Sequence, residues 1–281
     1  MILKSLTTRH AMNIFATLLM GAATLLVLLP LGIIFYHIIK MGFSSVNLDF
    51  FTQIPKPTGE TGGGMANGIA GSAIMIGMAS LLGVPVGIFG AIYLTEYGVG
   101  RLATIIRFCA DVLSGVPSII TGMVAYALLV VPLKGFSALA GSLALALIMI
   151  PIVLRTTEEQ LKMVPVSLRE ASLALGVPLW RTTLKVTLRS ALTGVVTGIL
   201  LAVARVAGET APLLFTALGN QFWSKSLTEP MAALPLQIFN FAISPYDDWH
   251  RLAWGGALVL VVLMFGLSLA ARWVGRGSHS G

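Results

Sequence analysis

The sequence predicts an all-α polytopic membrane protein with six transmembrane helices and one cytoplasmic loop that carries a short helix. Three observations predict it. Mean hydropathy is +0.90 and only 10% of the 281 residues are charged, where a soluble domain carries about 25%. Apolar runs long enough for a spanning helix of about 20 residues recur six times. Lysine and arginine gather at the ends of those runs on alternate connections, as the positive-inside rule requires. The net charge of +7 therefore reflects membrane orientation, and nucleic acid is excluded as a partner. One cysteine, Cys109, rules out an internal disulfide and a cysteine zinc site. Four scattered histidines have no ligand spacing, so neither a metal nor a cofactor is expected.

The first span is expected near 13–38. The apolar run around it is too long for a signal-peptide core, and no small-residue cleavage site follows. The connection 41–67 is rich in Gly and Pro and contains Gly62-Gly63-Gly64. It reads equally as a flexible connector or as a packed cap over the spans. The second span, 68–94, contains Gly83-x-x-x-Gly87, a spacing that lets helix backbones approach closely in lipid. The third, 107–131, begins with Arg107 and Asp111 one turn apart, a spacing for a local ion pair at the membrane edge. Pro85, Pro117 and Pro212 lie inside spans and predict kinks or unwound turns. The fourth span, 136–154, extends past Pro151 toward Arg155.

A polar but helically patterned segment, 155–190, follows. The fifth span, 191–216, holds Gly194-x-x-x-Gly198. The connection 217–251 carries Trp223, Tyr246 and Trp249, aromatics suited to headgroup level. The sixth span is 252–273. An even number of spans puts both termini on one side. With the N-terminus in the cytoplasm, the cytoplasmic segments hold twelve lysines and arginines and the exterior segments five, so this orientation is adopted.

Two features could carry chemistry. Arg205 and Glu209 lie one helical turn apart inside the fifth apolar run. A charge at the bilayer centre costs about 2.5–3.5 kcal/mol on insertion scales. Gly194, Gly198, Leu201, Arg205, Gly208, Glu209 and Pro212 fall on roughly one helical stripe, small and polar, which points toward protein. Two accounts fit: an anion path past the arginine, or a structural ion pair that locks two helices. The second feature is the segment 163–178. Ser167 followed by Glu170 reads as a capping box, Gly176 suits the residue after a helix end, and Pro178 prevents continuation. A two-turn helix lying along the membrane could dock a soluble partner, or it could merely connect two spans. The run from Gly219 to Ser226 nearly spells a phosphate-binding loop. Ser224 replaces its second glycine and no strand precedes it, so no nucleotide site is expected in this chain.

Arg169-Glu170-Ala171-Ser172, then Gly176, then Val186-x-Leu188 resembles the EAA loop of binding-protein-dependent ABC importer permeases. Glu170, Ala171 and Gly176 match that pattern. Ser172 replaces its second alanine, and Arg189 stands where the pattern has proline. The resemblance implies a coupling helix that seats in a groove of an ATPase subunit. The run from Gly198 through Arg205-Val-Ala-Gly-Glu209-Thr-Ala-Pro212 to Trp223 is similar to the PstA-type permeases of bacterial phosphate importers. So are Gly62 to Asn67, Gly90 to Gly98 and Pro151 to Glu158, and the similarity runs nearly end to end. It implies a type I ABC importer permease forming one domain over 1–281 in the bacterial inner membrane. It also implies three partners: a PstC-like second permease, a dimeric PstB-like ATPase and a periplasmic PstS-like phosphate-binding protein. Arg205 and Glu209 would then line the phosphate path, and Glu170, Ala171, Ser172 and Gly176 would couple to the ATPase. Chemically different expectations are a permease for molybdate, sulfate or phosphonate, and a channel or sensor that needs no ATPase.

Overall fold

The computed structural model describes residues 2–276, with side chains described for 8–275. In chain order the helices are α1 (Ile2–Gly42), α2 (Leu48–Thr52), α3 (Ala66–Ile92), α4 (Arg101–Gly115), α5 (Ser118–Ala125), α6 (Val131–Leu133), α7 (Ala138–Lys162), α8 (Val166–Ala174), α9 (Leu179–Thr182), α10 (Leu188–Ala207), α11 (Ala211–Leu214), α12 (Leu234–Ala242) and α13 (Asp247–Arg276). Wide π-type turns at Tyr93–Tyr97, Tyr126–Val130 and Thr183–Thr187 continue α3, α5 and α9. No β-strand occurs among the described residues. Among the described residues five helical segments are long and apolar enough to cross a membrane, six when the bent pair α4–α5 is counted as one broken span.

The helix α7 is the centre of the bundle, with α3 and α10 against it. Glycine at the contact points sets how close they come. A Cβ at Gly87 would lie 2.8 Å from the Val153 side chain, and one at Gly83 would lie 3.2 Å from Met149. On α10, a Cβ at Gly198 would lie 2.5 Å from Thr156 Oγ1, and Gly194 faces Gln160. Both small-residue pairs seen in the sequence therefore seat on α7. Met75, Leu145, Met149, Val153, Ala202, Val206 and Leu213 fill the core between these helices.

The α1 helix stands apart, exposed over nearly all its described length. It meets α13 at its end, where Gly42 lets the Trp254 carbonyl and Leu258 approach and His37 sets its ring edge-on to Trp254 at 5.0 Å.

The connection 41–67 forms a packed cap. The Asn47 side chain accepts from the Phe50 amide at 2.9 Å and starts α2, which buries Phe50 completely. The backbone then folds back through Met65 N–H to Phe50 O (2.9 Å) and Ala66 N–H to Gln53 O (3.1 Å). Gly63 takes φ of +78° at this turn, a left-handed value that suits glycine. The connection 217–251 is ordered as well, because α12 buries Leu234, Leu236 and Phe241. Trp249, expected at headgroup level, packs 4.7 Å from the Phe241 ring. Its indole N–H donates to Lys56 O at 3.4 Å, joining the two caps. Tyr246 and Trp223 stay exposed.

Three expected boundaries differ. The span placed at 107–131 is two helices, α4 and α5, bent by 109° at Val116-Pro117. Pro117 cannot supply the helical N–H, and it holds Val116 extended at ψ 131°. The fourth span continues to Lys162 because 155–162 remain helical, which leaves the connecting loop shorter than 155–190. The fifth was expected over 191–216, yet α10 ends at Ala207. Pro212 accounts for that end: its missing N–H and its ring both exclude the helical bond to the Gly208 carbonyl.

Candidate functional site

Arg205 sits in the last turn of α10, and Glu209 lies beyond it in the unwound stretch before α11. The uninterrupted helical turn expected between them is absent, and so is an ion pair. Among the described residues neither side chain makes a hydrogen bond or salt bridge. Both instead face a cavity of about 330 Å³. Its other wall is the break between α4 and α5, from Leu113 through Ser114, Gly115, Val116 and Pro117 to Ser118, with Ile148 and Ile152 of α7 between. The two proline breaks thus face one another across the cavity. Arg205 is exposed and Glu209 half-buried. A guanidinium presents a planar fork that matches a tetrahedral oxyanion. Its place at a helix C-terminus also suits a cation.

The expected stripe on α10 divides in the structure. Gly194 and Gly198 seat on α7, Gly208 faces Met264 of α13, and Leu201 with Arg205 is exposed. The drift of a 3.6-residue helix and its early end separate residues that a simple stripe had grouped.

At the other end of α7, α8 runs Val166–Ala174. Its N-cap is Pro165, with no side-chain hydrogen bond, so the capping box from Ser167 to Glu170 does not form. Pro165 already fixes the turn, which places Ser167 inside the helix. The helix stops as expected. Gly176 takes φ of +77°; its amide donates to Leu173 O at 2.9 Å and the Val177 amide to Ser172 O at 3.3 Å, the paired bonds of a Schellman end. Glu170 and Ala171 are exposed on the outer face, with Leu168, Leu173 and Leu175 also exposed. Ser172 points inward and shares a hydrogen bond with the Thr182 hydroxyl at 2.8 Å. It ties α8 to α9 across the bend.

The local pair expected between Arg107 and Asp111 does not form. Asp111 pairs with Arg155 of α7. Arg107 turns to Glu158, Nε to Oε1 at 3.0 Å, and its Nη2 donates to Leu94 O at 3.0 Å. Lys162 reaches the same Glu158 oxygen at 2.6 Å, and the Glu158 side chain is 1% exposed. Sequence reading missed this charge centre and the cavity wall at 113–118. Arg155, Glu158 and Lys162 share a helix face at i, i+3 and i+4 spacings, which was the available signal.

Comparison with known proteins gives the context. Residues 83–279 match the family described as binding-protein-dependent transport system inner membrane component. A Yersinia pestis protein named phosphate transport system permease protein PstA is 47% identical over 265 residues, covering 94% of this chain and 90% of that one. A PstA of Xylella fastidiosa is 50% identical over 237 residues, covering 84% and 82%. PstA 1 of Mycobacterium tuberculosis is 37% identical, covering 95% of this chain and 89% of that one. Among solved structures, a chain of the inward facing MetNI methionine ABC transporter superposes with TM-score 0.58 at 20% identity, covering 75% of this chain and 93% of that one. A chain of the bacterial alginate ABC transporter, solved with an alginate pentasaccharide-bound periplasmic protein, gives TM-score 0.61 at 13% identity and covers 94% of both. At those identities the structures speak for the fold alone. The relatives at 37–50% identity over most of their length place the chain itself: it belongs to the binding-protein-dependent transport system inner membrane component family, within the PstA-type phosphate transport system permeases.

Proposed function

We propose that this chain is one membrane-spanning permease subunit of an ATP-driven importer and forms part of the path for inorganic phosphate. The observation that carries the reading is Arg205, an unpaired guanidinium on a cavity between two broken helices, in a chain 47% identical to a PstA. Phosphate offers the oxygen pair that an arginine fork grips through two charge-assisted hydrogen bonds. One arginine holds an anion without trapping it, and transport requires release as well as entry. Glu209 on the same cavity repels an anion that lingers and so favours release.

The chain folds as a single permease domain with both termini in the cytoplasm. Energy comes from a separate dimeric ATPase of PstB type, seated on the exposed face of α8 around Glu170 and Ala171, with Gly176 and Ser172 shaping the turn behind it. A PstC-type permease completes the path, and a periplasmic PstS-type protein delivers the anion. Labelled phosphate uptake into vesicles holding the whole assembly tests this. Uptake that requires ATP and is not displaced by molybdate, sulfate or phosphonate supports it. Displacement by one of those anions identifies a different cargo, and uptake without ATP rules out the importer.

A further inference from the structure

The loop helix α8 is tied to the bundle by a charge. Arg169 Nη2 donates to the Leu161 carbonyl at 2.6 Å and lies 3.4 Å from Glu96 Oε1. One guanidinium thus joins α8, the end of α7 and the π turn after α3. The Glu96 side chain is 5% exposed and that of Arg169 19%. Two residues before Glu96, the Leu94 carbonyl accepts from Arg107 of α4, which holds the buried Glu158. Arg155 fastens α4 a second time through Asp111. Six residues beyond Arg107, α4 becomes the wall of the Arg205 cavity at Leu113. A run of charge contacts, joined by the backbone between Leu94 and Glu96 and by α4 between Arg107 and Leu113, therefore leads from α8 to the segment opposite Arg205.

Two physical points separate this run from ordinary packing. Buried ion pairs repay desolvation poorly, and apolar residues of similar volume often stabilise a fold as well. The contacts are also loose: Arg169 Nη2 to Glu96 Oε1 is 3.4 Å, Arg155 Nη1 to Glu158 Oε2 is 3.6 Å, and Arg169 Nε is buried with no hydrogen-bond partner. Long ion-pair contacts beside an unfilled donor leave room for a second arrangement of the same groups, and coupling between distant sites needs an element with two discrete arrangements.

We infer that Arg169 and Glu96 are positioning residues for energy coupling: their buried pair carries displacement of α8 to α4 and so moves the cavity wall facing Arg205. The inference rests on the permease reading above. It is tested in proteoliposomes holding this chain with its partner permease, ATPase and phosphate-binding protein. Phosphate uptake, ATP hydrolysis and the amount of assembled complex are measured on the same preparation. For Glu96→Gln and Arg169→Gln, phosphate moved per ATP hydrolysed falls roughly tenfold, within the range of mutational effects on coupling, while the complex still assembles and still hydrolyses ATP. The double exchange Glu96→Arg with Arg169→Glu restores part of the ratio. A ratio equal to wild type in both single variants overturns the inference. So does a fall in uptake and hydrolysis in step with the amount of complex, which marks a mere brace. If the singles fail to assemble, the exchange variant decides: assembly with a restored ratio supports the inference, and assembly without it, or none, overturns it. The wild-type vesicles report on the permease reading separately, because absence of ATP-driven uptake there removes that reading and this inference together.

Discussion

Replacing Arg205 with glutamine separates a transport role from a structural one. The side chain makes no hydrogen bond or ion pair among the described residues and is exposed on its cavity. Glutamine keeps the length and a donor but removes the charge. The stability lost is the interaction with the α10 C-terminus, about 0.3–1 kcal/mol. The function lost is larger. A charge-assisted hydrogen bond contributes about 1.5–3 kcal/mol, and the fork makes two of them to phosphate. Taking roughly 3 kcal/mol for an exposed, partly hydrated contact gives a decrease of about 100-fold or more in phosphate uptake, since 1.4 kcal/mol is tenfold. Uptake of labelled phosphate, set against thermal unfolding of the purified complex, measures both quantities. The expected pair of results is near-complete loss of uptake with an almost unchanged unfolding temperature. Normal uptake refutes the path role. A large fall in unfolding temperature refutes the claim that Arg205 is structurally unpaired.

Other substitutions probe the remaining parts of the account. Glu170→Lys reverses an exposed charge that has no partner among the described residues; the complex folds, while ATPase co-purification or the phosphate moved per ATP falls, and unchanged coupling would return α8 to the role of a connector. Gly198→Leu forces a side chain into Thr156 at the contact between α10 and α7. Overpacking of this kind costs about 1–3 kcal/mol, which a lowered unfolding temperature and poor membrane yield would register, and tolerance without loss would contradict the packing. Gly176→Ala meets no atom within 4 Å but must hold φ of +77°. The cost is the left-handed backbone alone, about 1–2 kcal/mol, seen as faster hydrogen exchange at the amides of 176 and 177, with Gly176→Asn milder.

The sequence carried the spans well because membrane helices are written in long apolar runs, and the two small-residue pairs marked the faces that meet α7. It carried the end of α8 because a Schellman turn has a local signature in Gly176. It did not carry the length of α10. Pro212 predicts a kink or an unwound turn, and the unwound turn is present, but the proline's effect falls four residues upstream and ends the helix at Ala207. Spacing alone pairs Arg107 with Asp111. Its real partner, Glu158, is 51 residues away, and partner choice across a packed bundle is tertiary information. The same reason hid the cavity wall at 113–118. Pro117 was recognised as a break, but that the break faces Arg205 depends on where α5 folds back.

A structure of the assembled complex with phosphate bound tests the central claim most directly. The account places phosphate oxygens about 2.7–2.9 Å from the Arg205 guanidinium, between the α4–α5 break and the end of α10, with Glu209 withdrawn. Phosphate occupying a path that bypasses this cavity, with Arg205 locked to Glu209, would contradict it.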